Sequence, residues 1–205
     1  MQISLSDTGK RFNRDWIFRN FSYQFNSAGT YAITGPNGSG KSTLLQIIGG
    51  AITASEGSIQ FVNNGKTVDI EKWHRYIAIA APYQELIEEM TLREFLKFHQ
   101  QFKPFVSGVI LEDIPAIVHL SHAADKQIRY YSSGMKQRAK LAQAILSDTP
   151  VLLLDEPCTN LDEEGISLYQ RLISTYTANR IVVVSSNDVV EYGFCREVID
   201  MRAMK

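Results

Sequence analysis

The sequence predicts an α/β fold with a mostly parallel sheet, an antiparallel β piece at its N-terminus and an inserted helical subdomain. Three observations support this prediction. Short apolar runs rich in β-branched residues alternate with helical patterns along most of the chain. The N-terminal part instead carries short strand-like segments separated by polar turns. Between residues 85 and 130 the sequence has no strand pattern, and Pro104 and Pro115 break that stretch into short helices.

Each predicted element follows from its local pattern. The apolar runs lack the alternation of a half-exposed strand, which indicates buried parallel strands over residues 31–34, 76–80, 151–154 and 181–184. Between them, helices are expected over residues 41–48, 91–101, 135–146 and 162–176. Antiparallel strands are expected over residues 2–5, 17–18, 22–25 and 58–62. The chain is therefore interpreted as one domain, with a core at 1–84 and 131–205 and a helical insert at 85–130.

Composition and charge exclude several classes of protein. With 44% hydrophobic and 21% charged residues, the 205-residue chain is neither collagen-like, disordered nor a disulfide scaffold. Its 21 Lys and Arg nearly balance 22 Asp and Glu, so we expect no direct nucleic-acid binding. Cys158 and Cys195 are the only cysteines, which favours a reducing, cytosolic compartment. No apolar run approaches the roughly 20 residues of a membrane span, so if the protein acts at a membrane, a partner supplies the span.

The strongest motif is a glycine-rich loop between a predicted strand and a predicted helix, which matches G-x-x-x-x-G-K-[ST] in full. It consists of Gly35, Pro36, Asn37, Gly38, Ser39, Gly40, Lys41, Ser42 and Thr43. Glycines let consecutive backbone N–H groups curl around phosphate oxygens, while the helix presents its positive end. Lys41 is placed to reach the β and γ phosphates, and the Ser42 hydroxyl to coordinate Mg²⁺. The motif predicts a P-loop NTPase core.

A second motif is a pair of carboxylates that closes the apolar run at residues 151–154. Asp155 and Glu156 point in opposite directions if the strand continues, and ligands of α/β sheets bind at such strand ends. Asp155 is placed to hold Mg²⁺ through its water shell. Glu156 is placed to orient and deprotonate an attacking water molecule.

With these motifs the chain resembles the nucleotide-binding subunit of ATP-binding cassette (ABC) transporters over nearly its whole length. Three further segments carry the resemblance: YSSGMKQR at residues 131–138 for the signature, Gln84 for the Q-loop, and TNLD at 159–162 for the D-loop. The resemblance implies an ATPase that uses ATP and Mg²⁺. It also implies a cytoplasmic protein that lies at the membrane's cytoplasmic face, docked on separate transmembrane permease subunits.

The same resemblance implies how the site is shared. In the family two cassettes pack head to tail, as a homodimer or a heterodimer, and ATP lies between one phosphate loop and the partner's signature. Ser132 and Gly134 would therefore contact the γ-phosphate bound by the partner, and Asp162 would lie at the interface. Gln84 would contact Mg²⁺ or the attacking water and move with the helical insert.

The resemblance also implies an aromatic ring that stacks on the adenine, upstream of the phosphate loop. Phe12 is the candidate for this ring, with Trp16 as the alternative. Because base stacking tolerates different bases, the residues themselves favour ATP only through the resemblance, and GTP stays open.

The chain departs from the family pattern at two places. No His follows the last predicted core strand, and Asn187 is the best-aligned substitute, with Ser186 next. Loss of one charge-stabilising donor typically costs about 10²–10³ in rate, part of which an Asn amide recovers, so we expect slow hydrolysis. In the signature, Tyr131, Ser133 and Met135 replace Leu, Gly and Gln. Met135 cannot donate a hydrogen bond, and Ser133 restricts the backbone where Gly would leave it free.

Two alternatives stay open beside a transport ATPase. One is an ABC ATPase without a transport role, although the chain shows neither the long coiled coil nor the tandem cassettes of such relatives. The other is a weakly hydrolysing, nucleotide-gated binding module, favoured by Asn187 and Met135.

An acidic run after Gln84, namely Glu85, Glu88 and Glu89, is either a solvated face or the edge of a groove for a membrane partner. The four histidines show no metal-binding pattern and are expected at the surface.

Overall fold

The computed structural model describes residues 1–204 and confirms the predicted α/β fold. In that range the strands are β1 (Gln2–Phe12), β2 (Asp15–Asn26), β3 (Thr30–Thr34), β4 (Glu56–Asn63), β5 (Lys66–Thr67), β6 (Ile77–Ala80), β7 (Val151–Asp155), β8 (Ile181–Ser185) and β9 (Glu197–Asp200). The helices are α1 (Lys41–Ile48), α2 (Leu92–Gln100), α3 (Ile114–Ile117), α4 (Ser133–Ile145), α5 (Glu163–Tyr176) and α6 (Val189–Tyr192). Short 3-10 turns link several of them.

The central sheet has five strands in the order β6-β7-β8-β3-β9, and every neighbouring pair is parallel. Its strands are apolar on both faces because each face is covered. Leu152 and Leu154 face a core formed with α4, α5 and the helical insert, whereas Val151 and Leu153 face a core formed with α1 and the antiparallel sheet. This double burial explains the unbroken apolar runs in the sequence.

The antiparallel sheet, in the order β2-β1-β4-β5, differs from the prediction in its strand lengths. The predicted pieces 17–18 and 22–25 both belong to one long strand, β2. Asp7 and Asn20 adopt left-handed backbone angles, with φ of 46° and 53°, and the β1–β2 register shifts between Leu5 and Thr8. Such irregularities bend a strand without ending it. Polar residues that the sequence pattern predicts as turns are therefore inside strands.

The insert between residues 85 and 130 consists of α2, α3 and short 3-10 turns. Helix α2 begins at a capping box, in which Thr91 accepts from the backbone N–H of Glu94 at 3.2 Å. The surface expectation for the histidines is wrong for His99, which is buried with Nε2 2.7 Å from the Ser147 Oγ. Burial lowers the pKa of His99 to about 4. This histidine thus joins α2 to the end of α4 as a neutral core residue.

None of the helices in residues 1–204 has the length and apolar character needed to cross a membrane.

Candidate functional site

The functional site lies where neighbouring parallel strands end. Strands β7, β8 and β3 are adjacent, and their pairing sets Asp155 opposite Ser185 and Ser185 opposite Ile33. The segments that follow these strands therefore meet at one edge of the sheet. A cleft of about 270 Å³ opens there, lined by Asn37, Gly38, Gly40, Lys41, Ser42, Thr43 and Glu156.

The glycine-rich loop enters α1 through a left-handed residue. Gly40 has φ of 98°, and a Cβ at this position would lie 2.6 Å from the Cγ2 of Ile17, so only glycine fits. No side chain among residues 1–204 caps α1, which leaves its first N–H groups available. The buried Lys41 ammonium donates to the carbonyl oxygens of Gly35 at 2.8 Å and Pro36 at 3.4 Å. Free N–H groups and a cation thus face the same cleft, as anion binding requires.

The buried carboxylate at the end of β7 suits a metal ion. Asp155 is 2% exposed, and its Oδ1 has no hydrogen-bond partner within residues 1–204. A buried carboxylate oxygen without a partner calls for a ligand, and Ser42 adds a hydroxyl in the adjoining cleft. Magnesium is usually held by one or two carboxylates together with substrate phosphates. One buried carboxylate, from Asp155, and one hydroxyl, from Ser42, fit that mode.

Glu156 is the acidic residue that lines the cleft itself. Its backbone has φ of 43°, a left-handed conformation that costs energy for a residue other than glycine. The Glu156 N–H donates to the Ser185 carbonyl at 2.9 Å, and this bond ties the residue to the end of β8. Glu156 is exposed while Asp155 is buried, so the two neighbouring carboxylates have different environments.

Asn187 and Gln84 occupy different positions relative to the cleft. The Asn187 Oδ1 accepts a hydrogen bond from the Gly35 N–H at 3.0 Å, so the predicted substitute for histidine contacts the phosphate loop directly. Its NH₂ group is left to donate elsewhere. Gln84 follows β6 and lines a separate groove of about 520 Å³ rather than the cleft. The buried Oε1 of Gln84 has no hydrogen-bond partner in the described part of the chain.

The two candidate aromatic rings lie at the β1–β2 hairpin, and neither lines the cleft. Phe12 is 50% exposed, with the Lys10 ammonium 5.0 Å from its ring centroid. Trp16 is 38% exposed and is engaged by two guanidinium groups, Arg19 at 4.2 Å and Arg11 at 5.6 Å. Phe12 is therefore the more available ring.

The segment that resembles the signature begins α4, away from the cleft. Ser132 is exposed, and its Oγ accepts from the Met135 N–H at 3.3 Å as the N-cap of α4. A Cβ on Gly134 would lie 3.0 Å from the Asn160 carbonyl oxygen, so Gly134 packs closely on the D-loop-like segment. Neither Ser132 nor Gly134 lines the cleft of its own chain. Asp162 caps α5 and is bound by Arg138 at 3.0 Å.

Two replacements in this segment have structural explanations. The Tyr131 ring is buried, and its hydroxyl donates to the Ala123 carbonyl at 2.6 Å within the insert. Ser133 is the first residue of α4 and has helical backbone angles, which serine adopts without strain. The expected backbone restriction at Ser133 therefore has no consequence at this position.

Sequence reasoning missed one buried polar residue that contacts the turn after Glu156. Glu191 is 5% exposed, and its carboxylate accepts from the Cys158 N–H at 2.6 Å, two residues after Glu156. A single Glu in a short segment of Val and Tyr residues carries no motif, so only the three-dimensional structure could find it.

Comparison with known proteins identifies the family. The family model described as ABC transporter matches residues 18–159. The cytochrome c biogenesis ATP-binding export protein CcmA of Agrobacterium fabrum is 26% identical over 189 residues, which cover 91% of this chain and 88% of that protein. The uncharacterised ABC transporter ATP-binding protein YhcH of Bacillus subtilis is 31% identical over 90% of this chain, which spans 61% of YhcH.

A solved structure shares the fold. The ATP-binding cassette MJ0796, in a dimeric post-hydrolysis state bound to ADP and Pi, superposes with a TM-score of 0.82 at 22% identity and covers 97% of this chain and 93% of its own. Since the family model matches well over half of the sequence, the chain belongs to the ABC transporter family, as an ATP-binding subunit.

Proposed function

We propose that this chain binds Mg·ATP on its glycine-rich loop, completes the site with a second ABC subunit, and hydrolyses ATP to drive transport through separate membrane subunits. One observation carries the proposal: the loop with Lys41, the buried carboxylate of Asp155 and the exposed carboxylate of Glu156 converge on one edge of the sheet. Membership of the ABC transporter family supports ATP as the nucleotide.

Binding rests on the loop and its cation. The N–H groups at the start of α1 and the Lys41 ammonium would hold the β and γ phosphates, with Gly35 to Thr43 wrapped around them. Ser42 and Asp155 would hold Mg²⁺, with Gln84 approaching from the neighbouring strand end. When bound, Mg²⁺ neutralises phosphate charge. The Phe12 ring would stack on the adenine.

Hydrolysis requires a base in the cleft. Glu156 would accept a proton from the water whose oxygen attacks the γ-phosphorus, while the bond to the bridging β–γ oxygen breaks and leaves ADP and phosphate. Asn187 would donate from its NH₂ group toward the γ-phosphate. An amide is a weaker donor to developing charge than a protonated imidazole, so slow hydrolysis is part of the proposal.

The second half of the site would come from a homologous or identical subunit. Ser132 and Gly134 lie at an exposed helix start outside their own cleft, which supports a role toward the nucleotide of a partner. The dimeric structure of MJ0796 supports such pairing. Met135 offers no side-chain donor, so the pairing would be weaker than in relatives with Gln at this position.

Docking on a membrane protein would use the groove beside Gln84, between the nucleotide core (1–84 and 131–205) and the insert (85–130). Lys140 donates to the Ala81 and Pro82 carbonyls at 3.3 and 3.1 Å, and Lys136 pairs with Glu88, so both charge signs line this groove. Attachment there would place the protein at the cytoplasmic face of the membrane. The resemblance to CcmA, an ATP-binding export protein, supports transport over the non-transport alternative.

The test is purification of the chain with its partners from membranes of its host. We expect a polytopic membrane protein to co-purify, and to be lost when Lys136 and Lys140 are both changed to Glu. Lys72→Glu is the control, because Lys72 is exposed, its ammonium pairs with Asp69, and it lies outside this groove. Recovery of soluble or ribosomal partners alone would favour the non-transport alternative. Unmeasurable hydrolysis with intact ATP binding would favour the nucleotide-gated module.

A further inference from the structure

A buried carboxylate supports the turn that carries Glu156. Glu191, on the short helix α6, is 5% exposed, and its Oε1 accepts from the backbone N–H of Cys158 at 2.6 Å. Burial of a carboxylate is costly unless hydrogen bonds satisfy it. The buried Glu191 carboxylate is therefore stabilised by its hydrogen bond from the Cys158 N–H, which lies in the turn just after Glu156.

The turn needs such support because its backbone is strained. Glu156 has φ of 43°, and a left-handed residue other than glycine persists only when its surroundings over-determine it. On the near side, the Glu156 N–H is held by the Ser185 carbonyl at 2.9 Å. On the far side, the Gln137 Nε2 donates to the Pro157 carbonyl at 2.7 Å, and Glu191 holds the Cys158 N–H. Glu191 thus holds the backbone at Cys158, two residues after the strained Glu156.

Glu191 is itself fixed from several directions. The buried Tyr169 hydroxyl donates to the Glu191 carbonyl at 2.7 Å, and Asp188 caps the helix at the Val190 N–H at 2.9 Å. The Asp188 N–H in turn donates to Ser186 at 2.9 Å. Because Glu191 is itself held in place, its hydrogen bond can fix the position of the Cys158 backbone in the turn.

The same segment also reaches the phosphate loop. Asn187, four residues before Glu191, accepts from the Gly35 N–H at 3.0 Å. Residues 186–191 therefore contact the loop that would bind the phosphates on one side and the turn with the acidic residue on the other. A shift of this segment would change the distance between those two groups.

The charges agree with this proximity. Burial raises the pKa of Glu191, hydrogen bonds from Ser186 and from the Cys158 N–H oppose the rise, and the Asp188 and Glu156 carboxylates add to it.

We infer that Glu191 is a positioning residue for hydrolysis, which holds the turn after β7 so that the Glu156 carboxylate faces the cleft. The inference rests on the proposed role of Glu156 as the base. Glu191 itself has no contact with the cleft in the described residues, so it would act on turnover and not on nucleotide affinity.

The test compares three substitutions at one position. Glu191→Ala removes the acceptor, and Glu191→Asp withdraws it by one methylene. Glu191→Gln keeps an amide oxygen of the same reach. We expect kcat to fall about tenfold in the Ala variant and severalfold in the Asp variant, since small displacements of a reacting group cost up to about 10²-fold. The Gln variant should stay within threefold of the parent, and KM for ATP should stay within twofold in all three.

A structural readout and a control separate positioning from general damage. Hydrogen exchange should rise in peptides covering 155–160 for the Ala and Asp variants and not for Gln. Arg180→Met is the control, because Arg180 is a buried charge at the opposite end of β8, where it donates to the Ile145 carbonyl at 2.7 Å. Assayed at a temperature where it is folded, Arg180→Met should keep the parent kcat.

Three results would overturn the positioning role of Glu191. Parent-like kcat in Glu191→Asp, or equal losses in the Asp and Gln variants, would overturn the inference even if the Ala variant failed to fold. A loss of kcat in Arg180→Met as large as in Glu191→Ala would do the same. Glu156→Gln is measured in parallel: if it hydrolyses normally, the proposed role of Glu156 as the base fails as well, whereas an inactive Glu156→Gln beside a normal Glu191→Ala refutes the positioning role alone.

Discussion

Two helix N-termini carry the phosphate contacts that we propose, and they differ in how they are capped and charged. Helix α1 follows Gly40 without a side-chain cap among the described residues, and Lys41 adds a buried cation. Helix α4 is capped by Ser132, which already satisfies the Met135 N–H, and the nearby Lys136 is paired with Glu88. The first terminus can hold a phosphate within one chain. The second is ordered by its own cap, and in the proposed dimer it would contact the nucleotide that another subunit binds.

The largest effect should come from removing the cation at the first site. Lys41→Ala is expected to weaken ATP binding at least about 30-fold, because loss of one partner of a desolvated charge pair costs about 2–5 kcal/mol. Isothermal titration calorimetry measures it directly. Lys72→Ala, at an exposed surface pair with Asp69, should bind ATP like the parent. Unchanged affinity in Lys41→Ala would show that α1 is not the primary phosphate site.

A smaller effect should follow from removing the ring that extends the first site. Phe12→Ala is expected to weaken ATP binding about tenfold, since stacking on a base contributes about 1–3 kcal/mol. Trp16→Ala should change affinity little, because Arg11 and Arg19 already occupy the Trp16 ring. Fluorescent-nucleotide titration of both variants tests this. The reverse order of effects would assign the adenine to Trp16.

The smallest effect should come from improving the second site. Met135→Gln restores a side-chain donor at the start of α4 and should tighten ATP-dependent pairing of two chains by about threefold to tenfold, the worth of one added hydrogen bond of about 1 kcal/mol. Analytical ultracentrifugation with a non-hydrolysable ATP analogue gives the dissociation constant. Met135→Leu adds no donor and should leave pairing unchanged. Equal pairing in the Gln and parent proteins would mean that this side chain does not reach the shared nucleotide.

Much of the first site could be predicted from sequence because its chemistry is local. The loop from Gly35 to Thr43 needs glycines at fixed spacing, and the buried strand before Asp155 is apolar on both faces. Both signals fit within a few consecutive residues. The convergence of these segments at one sheet edge then follows from the parallel pairing of adjacent strands.

What the sequence could not predict depends on distant contacts. Glu191 and His99 are polar residues whose burial comes from partners far along the chain, Cys158 and Ser147. Strand β9 at the sheet edge is partly exposed and carries no apolar run. The bulges that continue β1 and β2 through polar residues are likewise a property of pairing. Local patterns do not encode these features.

The central claim is that two chains close around ATP, with the phosphate loop of one and the α4 start of the other. Light scattering on Glu156→Gln with Mg·ATP tests it most directly, because slowed hydrolysis should trap the closed state. We predict a dimer that returns to monomer when ATP is removed, and that does not form in Glu156→Gln combined with Lys41→Ala. A strictly monomeric Glu156→Gln, saturated with Mg·ATP and alone or mixed with its partner subunit, would contradict the claim.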